Sequence, residues 1–224
     1  MTADYMRPWF GSLGYQHNLI FHDQTSPSIQ GCLSEIDALI TAPEKTVLIG
    51  HSWGWFLVRR YCHDYINQIR GTTALGPMYL TDERSKDGMA FLLDKMSDED
   101  RAFRKEKWPE DIAGQEQRAA EFMRRINPYY HHDFNFRLSG TLTYDRSIAA
   151  PLNAEAKGYD HRSLVTSLPN DTCLIYGASD YIKPEAEYKG IEQHIIPDAG
   201  HYMFAEKNAE TLAVMTDFLN RLAD

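Results

Sequence analysis

The chain is short of the features that mark membrane, secreted or nucleic-acid-binding proteins. No apolar run approaches the ~20 residues of a membrane-spanning helix, and the start, Met-Thr-Ala-Asp, lacks the basic and apolar stretches of a secretory signal. Basic residues are also few, since the chain has 23 Lys and Arg but 32 Asp and Glu. The resulting net charge of -9 repels phosphate backbones. We therefore expect a cytoplasmic protein with no membrane and no nucleic-acid partner.

Cysteine is rare as well. Cys32, Cys62 and Cys173 are odd in number and widely spaced, so they cannot all pair and they form no metal-ligand pattern. His131 and His132 lack a third ligand at a suitable spacing. The sequence therefore predicts reduced thiols, with no metal and no cofactor.

The pattern of apolar and charged residues changes twice along the sequence. Its 224 residues suffice for one domain with a full core. Residues 1–80 and 161–224 alternate short apolar runs with helical patterns, as βαβ units do. Residues 81–160 are charge-rich, with helical periodicity and no clear strand. The sequence therefore predicts an α/β core formed by 1–80 and 161–224, into which 81–160 is inserted as a helical lid.

Individual elements follow from apolar runs closed by turn residues and from apolar residues at helical spacing. Strands are predicted at 18–22, 46–49, 72–75, 173–176 and 193–196. Helices are predicted at 34–42, 53–63, from Ser97 onwards, at about 114–126 and at 208–222.

Residues 50–54, Gly-His-Ser-Trp-Gly, fit the pattern G-x-S-x-G between a predicted strand and a predicted helix. In this pattern the serine occupies a sharp, strained turn that exposes its hydroxyl at the top of a sheet, and the glycines leave room for the backbone. The first N–H groups of the following helix have no helical partner and attract negative charge. Ser52 is therefore the predicted nucleophile. His51 is interpreted as a packing residue, because adjacent side chains on such a turn diverge.

A serine hydroxyl needs a base near neutral pH, and the base needs a group that orients it. His201 follows the last predicted strand, and the glycine before it permits a tight loop. Asp180 follows the preceding predicted strand, where a carboxylate would accept the Nδ1–H of His201. Asp82, after an earlier strand, is the alternative acid. Asp198 is too close to His201 in sequence and is interpreted as a turn cap.

The serine turn, the acid and the histidine loop, in that order, resemble the α/β-hydrolase superfamily over almost the whole chain. The resemblance is more narrowly to its prolyl aminopeptidase (proline iminopeptidase) branch, through residues 4–10, 21–24, 127–130 and 197–206. It implies an α/β-hydrolase fold, a mostly parallel sheet with flanking helices and a helical lid. It also implies a serine hydrolase that acts by acyl transfer on a small peptide, amide or ester, with aminopeptidase and esterase as open alternatives.

The chain departs from that family in three places. No His-Gly-Gly stretch precedes residue 4, so the resemblance implies an N-terminally shortened hydrolase that lacks the first strands and the oxyanion loop. The Trp53 N–H would be the remaining oxyanion donor. Trp55 stands where the family has a small residue. Only 21 positions separate Asp180 from His201, fewer than the family's usual spacing.

Two functions of different classes remain open. An active aminopeptidase would need a lid carboxylate for the free amino group of its substrate; Glu110, Glu116 and Glu121 are available, although solvated helix charges explain each of them. The alternative is a catalytically weak or inactive hydrolase-like protein, because losing one oxyanion donor lowers turnover by ~10²–10³. The partner is a small molecule or short peptide, and the sequence leaves the oligomeric state open.

Overall fold

The computed structural model describes residues 5–15, 17–65, 69–139 and 145–223. Its strands are β1 (Val47–His51), β2 (Gly71–Leu75), β3 (Thr172–Gly177) and β4 (Glu192–Ile196). Its helices are α1 (Ile29–Leu39), α2 (Trp53–Asp64), α3 (Asp82–Asp94), α4 (Asp98–Lys105), α5 (Ile112–Arg125), α6 (Arg146–Glu155), α7 (Met203–Glu206) and α8 (Asn208–Ala223). Short 3₁₀ helices connect several of these elements. None of the helices in these ranges is long and apolar enough to cross a membrane.

The four strands form one parallel sheet, and their order in the sheet, β1-β2-β3-β4, is their order along the chain. Four of the five predicted strands are thus confirmed. All residues of β2 and β3 are buried, as expected for inner strands of a sheet covered on both faces. β1 lies at an edge, and no other strand of the described ranges pairs with its outer side.

The fifth predicted strand, residues 18–22, is wrong, because this stretch has no regular secondary structure. The alternation that suggested it is present: Leu19 and Phe21 pack against the core, whereas Ile20 is 58% exposed. A strand also needs backbone hydrogen bonds to a neighbouring strand. β1 pairs with β2 on one side, and residues 18–22 do not pair with its other side. The alternation of apolar and polar residues indicates which side chains face the core, but it does not show whether a neighbouring strand is present.

Helices cover both faces of the sheet. On one face, α2 contributes Trp55 and Val58 to a buried cluster with Ala74 and Leu174 of the inner strands. On the other face, α7 and α8 form a second cluster with β3 and with Phe10. α1 packs on the outer side of α2. This three-layer arrangement is the α/β class that the sequence predicts.

Helix ends follow from capping side chains. Ser97 caps α4 as predicted, because its Oγ accepts the Asp100 N–H at 3.1 Å. α1 begins at Ile29, earlier than the predicted 34, since Ser28 Oγ accepts the Gly31 N–H at 3.1 Å.

The described part of residues 81–160 contains α3, α4, α5 and α6 and no sheet strand; residues 140–144 lie outside the described ranges. The two ends of the segment lie side by side. Thr81 and Asp160 form an isolated antiparallel bridge, and the Asp82 N–H donates to the Tyr159 backbone carbonyl oxygen at 3.0 Å. The segment therefore leaves and rejoins the rest of the chain at one point, a geometry consistent with the predicted insertion.

Candidate active site

Ser52 lies on the sharp turn between β1 and α2. Its φ of 53° is in the left-handed region, where a residue other than glycine is strained by about 1–3 kcal/mol. The surrounding backbone holds this conformation. The Ser52 N–H donates to the Leu75 carbonyl oxygen at the end of β2 (3.1 Å), and the Trp55 N–H donates to the Ser52 backbone carbonyl oxygen (3.0 Å). The turn has the geometry that the G-x-S-x-G pattern predicts.

The two glycines of the pattern differ in their steric role. A Cβ at Gly50 would lie 2.7 Å from the Trp55 nitrogen, so β1 and α2 approach each other only because Gly50 has no side chain. Outside its own helix, a Cβ at Gly54 would meet no described atom within 4 Å. The expectation that glycine makes room for the backbone is confirmed for Gly50, whereas at Gly54 no described part of the chain outside α2 requires it.

Trp55 is completely buried even though its position was expected to require a small residue. It shares a buried cluster with Ala74, whose small side chain leaves space on β2. The Trp55 Nε1–H donates to the Tyr188 hydroxyl at 3.0 Å, so its polar atom is satisfied. The departure from the family pattern is therefore accommodated by the residues around it.

The structure brings His201 and Asp180 together. The distance between His201 Nδ1 and Asp180 Oδ2 is 2.9 Å, and both residues are almost completely buried. Since a carboxylate only accepts hydrogen bonds, His201 carries its proton on Nδ1 and leaves Nε2 as the basic nitrogen. The second oxygen of Asp180 accepts the Ile182 N–H at 3.1 Å, which fixes the orientation of the carboxylate.

The alternative acids lie elsewhere. Asp82 begins α3, where its carboxylate pairs with Lys86 at 2.7 Å and accepts the Gly158 N–H at 3.0 Å. The Lys86 hydrogen bond lowers the pKa of Asp82. Asp198 is mostly exposed, 3.9 Å from the His132 ring nitrogen. Of the three candidate acids, Asp180 is the one whose carboxylate is hydrogen-bonded to the His201 ring.

Gly76 is a site residue that the sequence analysis missed. It follows β2 with a φ of +52°, and a Cβ there would lie 2.9 Å from His201 Nδ1 and 3.2 Å from Asp180 Oδ2. Glycine alone combines this backbone conformation with space for the pair. The sequence does place a glycine directly after a predicted strand, but it gives no indication of which side chains approach it.

Two contacts connect the Ser52 turn with His201. Leu75, which accepts the Ser52 N–H, directly precedes Gly76, and His201 packs against Gly76. His51, directly before Ser52, has its Nε2 3.1 Å from the His201 oxygen. In the described part of the chain no hydrogen bond joins the Ser52 hydroxyl to the His201 ring. In unliganded enzymes such bonds are often long and tighten when substrate binds.

Aromatic rings surround His201. The ring centroids of Tyr181, Tyr202 and Tyr130 lie 5.1, 5.5 and 5.9 Å from that of His201. Burial raises the pKa of all three phenols, so they stay neutral near pH 7. The pKa of His51 lies well below 6.5, because burial and then the neighbouring His201 oppose its protonation. Four neutral rings thus exclude water from the His201–Asp180 hydrogen bond, which a low local dielectric strengthens.

A cavity of about 250 Å³ opens at Ser52. Beside Ser52 and Trp53 it is lined by residues from α3 and α6 and from the segments that follow β2 and β3: Ser85, Met89, Ala149, Leu152, Asn153, Met78, Tyr79, Tyr181 and Ile182. No side chain in this lining carries a charge. Residues of α3 and α6, both within the 81–160 segment, therefore line this cavity together with Ser52.

The three carboxylates of the 81–160 segment that were considered for a substrate amino group lie outside this lining. Glu110 is 81% exposed and pairs with Lys107. Glu116 is exposed, and Glu121 lies 3.6 Å from Arg124. Glu116 and Glu121 lie on α5 and fit the interpretation as solvated helix charges, whereas Glu110 is a solvated charge that precedes this helix.

One group of potential metal ligands occurs in the described ranges: Cys173, Glu192 and His194, whose ligand atoms lie within 4.8 Å of one another. It is at the beginning of β3 and β4, whereas Ser52 follows the end of β1. Glu192 is already bonded to His194 at 2.7 Å and to Arg221 at 2.6 Å. Burial raises the pKa of the Cys173 thiol to about 12, which disfavours the thiolate that binds metals. The group is separate from the site at Ser52.

A sequence profile described as the alpha/beta hydrolase family matches residues 7–214. The chain belongs to the alpha/beta hydrolase family. The parallel sheet with flanking helices is the fold of that family, so the predicted fold class is confirmed. No curated protein sequence is significantly similar to this alpha/beta hydrolase.

Solved structures with the same fold carry several different activities in their names. VinJ is 16% identical with a TM-score of 0.63, and the match covers 99% of this chain and 86% of VinJ. An esterase from Thermogutta terrifontis is 15% identical with a TM-score of 0.63, over 99% and 86% of the two chains. A proline iminopeptidase from Mycobacterium smegmatis is 16% identical with a TM-score of 0.56, over 88% and 74%. Identities this low show the fold alone, so the narrower resemblance to prolyl aminopeptidases stays a hypothesis.

Proposed function

We propose that this alpha/beta hydrolase is a serine hydrolase that cleaves an uncharged carboxylic ester through an acyl-enzyme on Ser52. The observation that carries the proposal is the uncharged cavity at Ser52, on the turn that contacts the buried His201–Asp180 pair. Its volume of about 250 Å³ suits a small substrate.

In the first step the Ser52 Oγ attacks the ester carbonyl carbon while His201 Nε2 accepts the hydroxyl proton. The protonated His201 then gives this proton to the alcohol oxygen as the C–O bond breaks, and the acyl group stays on Ser52. In the second step water attacks the acyl carbon, with His201 again as base, and the carboxylic acid is released. Asp180 holds the Nδ1–H of His201 and stabilises the imidazolium ion in both steps.

The negative charge that develops on the carbonyl oxygen requires hydrogen-bond donors. Trp53 is the first residue of α2, so its N–H belongs to the helix turn that lacks intrahelical acceptors and carries the positive end of the helix dipole. We assign the Trp53 N–H as an oxyanion donor on this basis. The division into a core, 1–80 and 161–224, and a lid, 81–160, is kept as part of the proposal because lid residues line the cavity.

An ester fits the cavity better than a peptide with a free N-terminus does. A charged amino group taken out of water needs a carboxylate partner, and the side chains lining the cavity offer none. The aminopeptidase alternative rests on the narrower sequence resemblance. Turnover of short-chain p-nitrophenyl esters, compared with turnover of prolyl-p-nitroanilide, distinguishes an esterase from an aminopeptidase. We expect turnover of the esters.

The nucleophile is tested with Ser52→Ala and with Ser163→Ala, which removes an exposed serine away from the cavity as a matched control. We expect Ser52→Ala to abolish ester turnover and fluorophosphonate labelling, since loss of a serine nucleophile costs on the order of 10⁶ in kcat. Ser163→Ala should behave as wild type. Turnover above a few per cent in folded Ser52→Ala would refute the assignment. Absence of labelling in well-folded wild-type protein would favour the catalytically weak or inactive alternative.

A further inference from the structure

His51 lies between the N-terminal segment and the His201 loop. It is the last residue of β1, directly before Ser52, and it is 6% exposed. Its ring centroid lies 4.7 Å from that of His201, 5.2 Å from Tyr202 and 5.1 Å from Phe204. Packing alone explains a buried aromatic ring. The hydrogen bonds of its two nitrogens require a further explanation.

These hydrogen bonds define one tautomer of His51. The backbone oxygen of His201, 3.1 Å from His51 Nε2, only accepts, so Nε2 carries the proton. Nδ1 is then an acceptor, and the Tyr5 hydroxyl donates to it at 2.7 Å. Burial raises the pKa of Tyr5, so its hydroxyl retains the proton that it donates. Protonation of His51 would place a hydrogen on Nδ1 and break this bond. Tyr5, neutral His51 and the His201 carbonyl thus form a directed chain.

The backbone around His201 has other anchors, one in the 127–130 turn of the lid and one in α7. The His201 N–H donates to the Tyr130 backbone carbonyl oxygen at 2.7 Å. The N–H of Gly200 donates to Glu206 Oε2, also at 2.7 Å. His51 is different because it belongs to the serine turn itself, so its bond connects the backbone beside Ser52 with the backbone of His201.

We propose that His51, oriented by Tyr5, is a positioning residue that holds His201 in register with Ser52 through the hydrogen bond from Nε2 to the His201 carbonyl. This inference rests on the proposed function, because register matters only if Ser52 and His201 react together. The distance between a nucleophile and its base is sensitive, since a displacement of about 1 Å costs about 10² in rate.

Two substitutions at His51 separate hydrogen bonding from packing. His51→Gln keeps the bond toward His201, because the amide N–H takes the place of the Nε2–H. His51→Phe keeps an aromatic ring and removes both bonds. We expect the Gln variant to retain kcat within about threefold, and the Phe variant to lose about 10- to 100-fold in kcat with little change in KM. The reverse pattern, an active Phe variant and an impaired Gln variant, would show that His51 only packs.

Tyr5→Phe provides a second, milder test, because it removes one hydroxyl and keeps the ring. We expect a partial loss of kcat in a wild-type background. Tyr65→Phe serves as its control, because Tyr65 lies at the C-terminal end of α2 and packs against a different hydrophobic cluster from Tyr5. If both His51 variants unfold, Tyr5→Phe decides the question. Wild-type kcat in folded Tyr5→Phe would show that the hydrogen bonds from Tyr5 through His51 to the His201 carbonyl do not position His201.

A readout that does not depend on turnover keeps this inference separate from the proposed function. The Nδ1 proton that His201 shares with Asp180 should give a far-downfield proton NMR resonance, identified by its loss in Asp180→Asn. We expect this resonance to persist in His51→Gln and to broaden or shift in His51→Phe. That result without any turnover would refute the proposed function and support the positioning of His201. An unchanged resonance and unchanged turnover in His51→Phe would refute the positioning role alone.

Discussion

Gly76→Ala tests the arrangement of the site through a residue that takes no part in the chemistry. A φ of +52° costs an alanine about 1–2 kcal/mol relative to a relaxed backbone. For a protein of this size that lowers Tm by roughly 2–8 °C. The added Cβ would also lie 2.9 Å from His201 Nδ1, closer than real Cβ atoms approach other atoms, so the His201–Asp180 pair must move. A shift of this pair should lower kcat by about 10².

Gly158→Ala is the matched control. Gly158 also has a positive φ, +75°, but a Cβ there meets no described atom within 4 Å. Both variants should therefore lose comparable stability from backbone strain, while only Gly76→Ala disturbs the site. The assays are thermal unfolding, ester turnover and the rate of fluorophosphonate labelling of Ser52. Equal labelling rates in the two variants would show that Gly76 does not confine His201, or that the reaction of Ser52 does not need the His201–Asp180 pair.

Two further predictions concern carboxylate and histidine chemistry. Asp180→Asn should lower kcat sharply, by up to ~10⁴ as in the serine protease example of a triad aspartate replaced by Asn, because it favours the wrong tautomer of His201. Asp82→Asn should change turnover little, and the opposite result would move the acid assignment to Asp82. Burial, followed by nearby Arg59, lowers the pKa of His161 from 6.5 to about 3. Neutral His161 therefore contributes stability that is fully present above pH 6.5 and is lost as the pH falls from about 6.5 toward 3. In urea unfolding at pH 7 and pH 4, His161→Phe should show a smaller acid-induced loss of stability than wild type; an equal loss would contradict this account.

Local patterns were sufficient for the elements that depend on neighbouring residues in the chain. The run 46–49, the turn at Ser52 and the apolar spacing of α2 predict the strand–turn–helix unit, because the steric demands at Gly50 and Ser52 arise within that unit. Ser97 likewise predicts the start of α4, since capping joins a side chain to a backbone N–H three residues later.

Residues 18–22 show where such patterns fail. Their alternation is real, because Leu19 and Phe21 face the core and Ile20 faces solvent. Strand formation, however, depends on a hydrogen-bonding neighbour that is distant in sequence. Trp55 is a related case, since only the tertiary structure places Ala74 and the Tyr188 hydroxyl around it.

The sequence by itself determined the order of the chemical groups: a serine on a strained turn, then an acid and a histidine after later strands. It left the choice between Asp82 and Asp180 open, because both follow predicted strands. Tertiary structure decided which carboxylate contacts His201, and it assigned contacts to Gly76, His51 and Tyr5 that no local pattern contains. The physical reason is distance along the chain. Strain and capping act over a few residues, whereas the hydrogen bonds of the site join atoms whose proximity exists only after the sheet has formed.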